Sequence, residues 1–276
     1  MPDQQKTSKE RFLNGKTSAL FLVSLWSLVA NPLLQSVEAQ TQRTQRVAAS
    51  FPAEKAAGEL LARLAESAKS EGVVDVALQS SLTPRGVAAI QESIRGKYGF
   101  DLNINYSPTR SYPKIQAQAH TEHKAGAPPS FDLITGGESH ILELTEEGAV
   151  ERVDWESLLP ANIPAEVVVF GGVSVGFKPL DAPYVSQHIV AVRTRARHPS
   201  AAKLLAAFLA SPDALKIWQE IASNPNYYYR GKSPFDLGPE WQRVRPWLWT
   251  AERLRYKSTP EVEAWEREIN RSLMGR

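Results

Sequence analysis

The spacing of apolar and polar residues along the chain changes repeatedly between a helical and a strand-like pattern. Residues 52–70 place alanine and leucine at intervals of three and four, which predicts an amphipathic helix. Short apolar or alternating runs typical of strands occur three times, at residues 73–79, 102–106 and 131–135. Each run is followed by a segment of helical period, at residues 85–98, 112–124 and 138–147. The pattern therefore alternates strand with helix.

Such alternation predicts a parallel α/β sheet with right-handed crossovers and flanking helices. We expect residues 51–160 to form a first lobe of this class, and residues 161–276 to form a second, reduced α/β lobe. The second half is less regular. It contains a predicted hairpin that turns at Gly171-Gly172 and a further strand over residues 187–192. Three helices are predicted there: residues 199–210, 212–223 and 260–273.

The first 39 residues have the layout of a secretory signal peptide. A basic stretch ends at Lys16, an apolar run follows over residues 19–34, and small residues stand at the cleavage positions before Gln40. A membrane anchor is the alternative, but it needs roughly 20 apolar residues, and this run is shorter and is interrupted by Asn31-Pro32. We therefore expect residues 1–39 to be removed, residues 40–50 to be a disordered linker, and the product to be periplasmic without a stable membrane anchor.

Composition excludes several classes of function. The chain has no cysteine, which rules out disulfides, thiolate metal sites and cysteine nucleophiles. The net charge of +2 provides no basic field for nucleic acid. No G-x-S-x-G, P-loop or H-E-x-x-H motif occurs, and the pair His120 and His123 is more typical of a solvated helix face than of a metal site. We expect no catalytic residue, no metal site and no cofactor.

Candidate ligand-binding residues follow the three predicted strands. In an open parallel sheet, ligands bind where strands end and helices begin, and helix N-termini favour anions. The strand ends provide Ser80 and Ser81, then Thr109 and Arg110, then Gly137 and Glu138. Helix capping is an alternative role for the hydroxyls. Tyr227 and Tyr228 are further candidates through their aromatic faces, unless they cover a core edge. Together these residues suit a small polar or anionic solute, or an ion.

Two blocks of sequence resemble bacterial extracellular solute-binding proteins, near the iron(III)-type group. The blocks are AKSEGVVDVALQSS (68–81) with residues 112–150, and HPSAAKLLAAFLASPDALKIWQE (198–220). The resemblance implies a periplasmic-binding-protein fold of two α/β lobes that close on a ligand. It also implies a noncatalytic role as the receptor of an ABC-type importer, with the transporter permease as partner.

The chain departs from that family between residues 160 and 198. Receptors of this type carry a much longer segment there, including the adjacent tyrosines that iron binders use. Ferric iron is therefore not supported by the residues present. Two other functions stay open: a truncated, transport-incompetent paralogue that acts as a protein-interaction module, and, less favoured, an exported enzyme that uses Glu138, near which the sequence places no second acid, base or nucleophile.

Overall fold

The structure is a computed structural model that describes residues 57–159, 167–179, 185–222 and 248–274. These residues belong to one compact unit, Pro52–Arg276. The predicted signal peptide, the predicted linker and the tyrosine pair Tyr227-Tyr228 lie outside the described residues. Among the described helices, none has the length and apolar character needed to cross a bilayer.

The first half of the unit alternates strand and helix, as predicted. Helix α1 includes residues 57–71, and a turn of 3₁₀-helix, Ser80–Leu82, follows the first strand. Glycines in the left-handed conformation end α1 at Gly72 and the next helix at Gly99. The remaining elements are β1 (Val73–Gln79), α2 (Thr83–Tyr98), β2 (Asn103–Thr109), α3 (Tyr112–Lys124), β3 (Leu133–Gly136), α4 (Glu138–Glu146) and α5 (Trp155–Leu158).

The second half begins with the predicted hairpin and continues into helices. The hairpin pairs β4 (Val168–Val169) with β5 (Gly172–Pro179) in antiparallel register. The predicted hairpin is therefore present, but it turns at Phe170-Gly171, one residue earlier than predicted, because Gly172 already pairs with Val169. The next strand is longer than predicted, and four helices follow it within the described residues. These elements are β6 (Val185–Val192), α6 (Pro199–Ala210), α7 (Pro212–Glu220), α8 (Ala251–Lys257) and α9 (Pro260–Met274).

All six described strands form one mixed sheet in the order β2-β1-β3-β6-β5-β4. Strand β1 is parallel to both β2 and β3, as predicted. Strand β6 is antiparallel to β3, and Leu133 lies opposite Val192. The strands assigned from sequence to the second lobe therefore extend the sheet of the first, and residue 160 does not mark a boundary in the sheet. A physical reason is that residues 189–192 are buried on both faces, which only the middle of a covered sheet provides.

Helices cover both faces of the sheet. On one face, α1, α2, α6 and α7 form the larger core, and nine of the twelve residues of α6 are buried. On the other face, α3 and α4 pack through Ile115 and Ile141 against Ile134 and Ile189. This two-sided packing fixes where the strands end, and thus where the loops between strands and helices converge.

Candidate ligand-binding site

A cleft of about 390 Å³ lies where β1 and β2 end and where α3 and α4 begin. Its position agrees with the general rule for open α/β sheets. The lining contains four of the residues predicted from sequence, Ser80, Ser81, Thr109 and Arg110. The other lining residues are Gln79, Ser111, Tyr112, Pro113, His140 and His188.

Two serine hydroxyls at the end of β1 face the cleft without a partner. Strand β1 ends at Gln79, and Ser80 and Ser81 open the 3₁₀ turn that leads into α2. Within the described part of the chain, neither hydroxyl makes a hydrogen bond, so both can donate to a ligand. The turn ends at Thr83, whose φ of 58° is strained for a β-branched residue. Such strain is often found beside functional sites.

The end of β2 contains a turn that Thr109 closes by hydrogen bonds, and an exposed cation, Arg110. Thr109 Oγ1 bonds both the amide N–H and the carbonyl oxygen of Ser111 at 3.2 Å, and Ser111 Oγ caps α3 by accepting from the N–H of Lys114. Thr109 therefore shapes the turn. Arg110 between them is exposed, and its guanidinium has no hydrogen bond or ion pair with any described residue. A second hollow of about 460 Å³ shares Arg110 and Ser80 with the cleft, so Arg110 lies between two open spaces.

Three aromatic rings line the cleft beyond Arg110. Tyr112 Oη lies 2.5 Å from His188 Nδ1, and burial raises the pKa of Tyr112 to about 12. The phenol therefore keeps its proton near pH 7 and shares a hydrogen bond with the imidazole nitrogen. The Tyr112 ring packs edge-to-face on His188 at 5.9 Å and on His140 at 6.0 Å. Burial lowers the pKa of His140, and its Nδ1 atom is buried without a hydrogen-bond partner.

Gly137 and Glu138 are not among the lining residues, although the sequence proposed them as ligand contacts. Gly137 stands at the N-cap of α4. The Glu138 carboxylate is only 7% exposed and accepts the backbone N–H of Gln187 at 2.7 Å. Burial raises the pKa of this carboxyl. Glu138 thus joins the start of α4 to β6, and a direct role in ligand binding stays a prediction, as it does for Tyr227 and Tyr228.

Six lining residues were missed by the sequence reasoning. Four of them, residue 79 and residues 111–113, directly adjoin the predicted strand ends, and a wider window would have included them. His140 lies in the first turn of α4, two residues after Glu138. His188 gave no local signal, because it reaches the cleft only through the pairing of β6 with β3, which is a nonlocal contact.

A second polar cluster lies near the opposite ends of the strands. Ligand atoms of Asp75, Asp132 and His198 come within 4.8 Å of one another, a spacing that could suit a metal ion. Asp132, however, is fully buried, and its two oxygens already accept hydrogen bonds from the backbone N–H groups of Asp75, Arg197 and His198. Its Oδ2 also lies 2.8 Å from His198 Nδ1. These hydrogen bonds join β1 and the start of β3 to the loop that enters α6. On α3, His120 Nδ1 lies 2.6 Å from a carboxylate oxygen of Glu147.

Comparison with known proteins identifies the fold. No protein-family model and no curated protein matches the chain. Among solved structures, an ABC transporter substrate-binding protein from Bradyrhizobium japonicum is similar at 12% identity and a TM-score of 0.51, over 71% of this chain and 98% of that chain. The iron-bound HitA of Pseudomonas aeruginosa is similar at 12% identity and a TM-score of 0.51, over 71% and 99%. The chain therefore has the fold of periplasmic substrate-binding proteins.

Proposed function

We propose that the chain is the exported substrate-binding component of an ABC-type importer and that it holds a small anionic solute in the cleft. The observation that carries the proposal is the guanidinium of Arg110, which lines the cleft together with the hydroxyls of Ser80 and Ser81 at the strand ends, none of the three bonded to another described residue. The similar structures are binding proteins of such importers, which supports the same role here. The partner would be the importer's permease, and the site of action the periplasm.

The charges of the lining favour an anion over a cation. Among the described lining residues, Arg110 alone is charged throughout the neutral pH range, and none is a carboxylate. A metal ion or polyamine would meet the positive charge without a compensating negative one. Ferric iron also prefers several anionic oxygen ligands, whereas the described lining contains a single phenol, Tyr112, and no carboxylate.

Binding without catalysis fits the contacts of the hydroxyls. Activation of a serine nucleophile requires a base within hydrogen-bond reach. In the described part of the chain neither Ser80 nor Ser81 is bonded to a histidine or carboxylate, and the imidazole of His188 instead bonds Tyr112. We therefore propose that these groups hold a ligand and do not transform it.

A thermal-shift titration of the full chain tests the proposal. The solutes are phosphate, sulfate and organic acids, against polyamines and ferric iron as cations. A ligand at 100 times its dissociation constant adds about 2.7 kcal/mol, which raises Tm by about 5–10 °C for a unit of this size. The shift with an anion should disappear in Arg110→Gln. It should persist in Arg85→Gln, a matched control, because Arg85 is exposed on α2 and does not line the cleft.

A saturable shift with a cation alone, or an anion shift that Arg110→Gln leaves unchanged, would contradict the proposal.

One observation favours the second candidate, a protein-interaction module. The C-terminal helices expose aromatic side chains, with Tyr256 69% and Trp265 64% exposed. Sedimentation velocity across a concentration series distinguishes the two candidates. Self-association without any response to solutes would support the interaction module.

A further inference from the structure

The lining of the cleft defines the solute more narrowly than its charge alone. Resting on the proposed function, we infer that the solute is an organic monocarboxylate whose body is a flat, largely apolar ring. Three properties of the cleft carry this inference: the number of its charges, the aromatic character of its far end, and its volume.

The charge of the lining matches a single negative charge. Arg110 is the one guanidinium among the described lining residues, and a guanidinium binds a carboxylate through two parallel N–H···O bonds. The hydroxyls of Ser80 and Ser81 can add neutral donors to the same oxygens. A dianion would leave its second charge without a cation, since the described lining contains no lysine and no second arginine.

The other end of the lining is aromatic. The rings of His140 and His188 stand at 71° and 73° to the ring of Tyr112, so the three present edges and faces in alternating directions. Pro113 adds an apolar ring beside them. Aromatic groups prefer such offset or edge-to-face neighbours, and each pair contributes about 0.5–1.5 kcal/mol beyond area burial. A flat ring in the solute would continue this packing, whereas a fully hydrated ion would not.

The volume favours an organic solute. About 390 Å³ lies within the range of clefts that hold organic small molecules, roughly 300–1,000 Å³. An inorganic oxyanion at Arg110 would leave most of this space to water. Arg110 and Tyr112 both line this one cleft, so a carboxylate and the ring attached to it can contact both at once.

Isothermal titration of the full chain tests the inference with benzoate and phenylacetate. The matched controls are benzamide, which keeps the ring without the charge, acetate, which keeps the charge without the ring, and phosphate. We expect either aromatic acid to bind at least about tenfold more tightly than each control. Arg110→Gln should weaken the aromatic acid by about tenfold or more, and Arg85→Gln should not change it. Tyr112→Leu should weaken it as well, and Tyr112→Phe, which keeps the ring, should weaken it less.

The outcomes separate this inference from the proposed function. Phosphate or acetate could bind as tightly as the aromatic acids and require Arg110 to do so. In that case the proposed receptor function stands, but the inference that the solute carries a ring is wrong. If benzamide binds as tightly as benzoate, the inference that the solute is a monocarboxylate is wrong. If no anion binds the full chain, both the solute class and the proposed function fall. The comparison of ligands uses the unmodified protein, so it does not depend on whether a variant folds.

Discussion

Asp132 is the residue whose replacement we expect to destabilise the fold most clearly. Its carboxylate is fully buried between β1 and the loop that enters α6. Oδ1 accepts the backbone N–H groups of Arg197 at 2.7 Å and His198 at 3.1 Å, and Oδ2 accepts the N–H of Asp75 at 2.9 Å. Replacement by alanine removes all of these acceptors at once, together with the contact to the His198 ring.

The expected loss follows from the strength of charged hydrogen bonds. Each bond to a charged group contributes about 1.5–3 kcal/mol, but neighbouring bonds are not additive. The side chains of Asp75 and His198 are about one-fifth exposed, so water can replace part of what is lost. We expect Asp132→Ala to lower the free energy of unfolding by about 3–5 kcal/mol, the usual effect of breaking a buried charged pair. Asp132→Asn should lower it by about half as much, because one oxygen remains while the new amide group faces the Asp75 N–H.

Urea unfolding measures these losses. With a slope of about 2 kcal/mol per molar urea, the midpoint of Asp132→Ala should fall by about 1.5–2.5 M. Asp101→Ala is the control, since Asp101 forms an exposed ion pair with Arg95 and should change stability by less than about 1 kcal/mol. A loss for Asp132→Ala no larger than that of the control would refute the reasoning. Solute binding by folded Asp132→Asn should stay unchanged, because the cleft lies at the other ends of the strands.

Three further predictions concern other parts of the sheet. Because burial raises the pKa of Glu138, the folded chain takes up this proton at a higher pH than the unfolded chain, so the free energy of unfolding should rise as the pH falls towards the ordinary carboxyl range. Glu138→Gln should lack this rise, so the Tm difference between the two proteins should change over that pH range, and a constant difference would contradict the assignment. Thr83→Gly should raise stability by about 1 kcal/mol in urea unfolding by relieving the positive φ, whereas a lower midpoint would show that the threonine is not strained. Gly172→Ala should destabilise by about 3 kcal/mol, because a Cβ there would lie 2.4 Å from the carbonyl oxygen of Val190. Its control, Gly96→Ala on the open face of α2, meets no atom within 4 Å and should be neutral or stabilising; equal effects of the two changes on Tm would disprove the clash.

The local elements were predictable because their signals are local. The apolar run of β1 spans 7 residues and the helical period of α2 spans 16, and both elements form where predicted. The position of β6 was not predictable in this way. Its pairing with β3 joins residues more than fifty positions apart, and nothing in the pattern of residues 187–192 specifies the neighbour.

In the candidate site, too, some features were predictable from local sequence and others depend on nonlocal contacts. Ser80 and Arg110 follow strand ends, and the rule for open sheets places them at the cleft. Glu138 also follows a strand end, and a carboxylate suits the N-terminus of α4. Its side chain nevertheless bonds the backbone of β6. The sequence shows which residues reach that edge, but it does not show which of them the fold itself uses.

The late position of α6 in the chain has a consequence for biosynthesis. A nascent chain that ends at residue 198 contains all six described strands, but it lacks the helix that buries nine residues against them. At a translation rate of 5–20 residues per second, α6 is synthesised on the order of ten seconds after β1. During that interval the part of the apolar face that α6 later covers is open to a chaperone or to aggregation. Any factor that keeps this chain unfolded can therefore act throughout its synthesis without competing against a finished core.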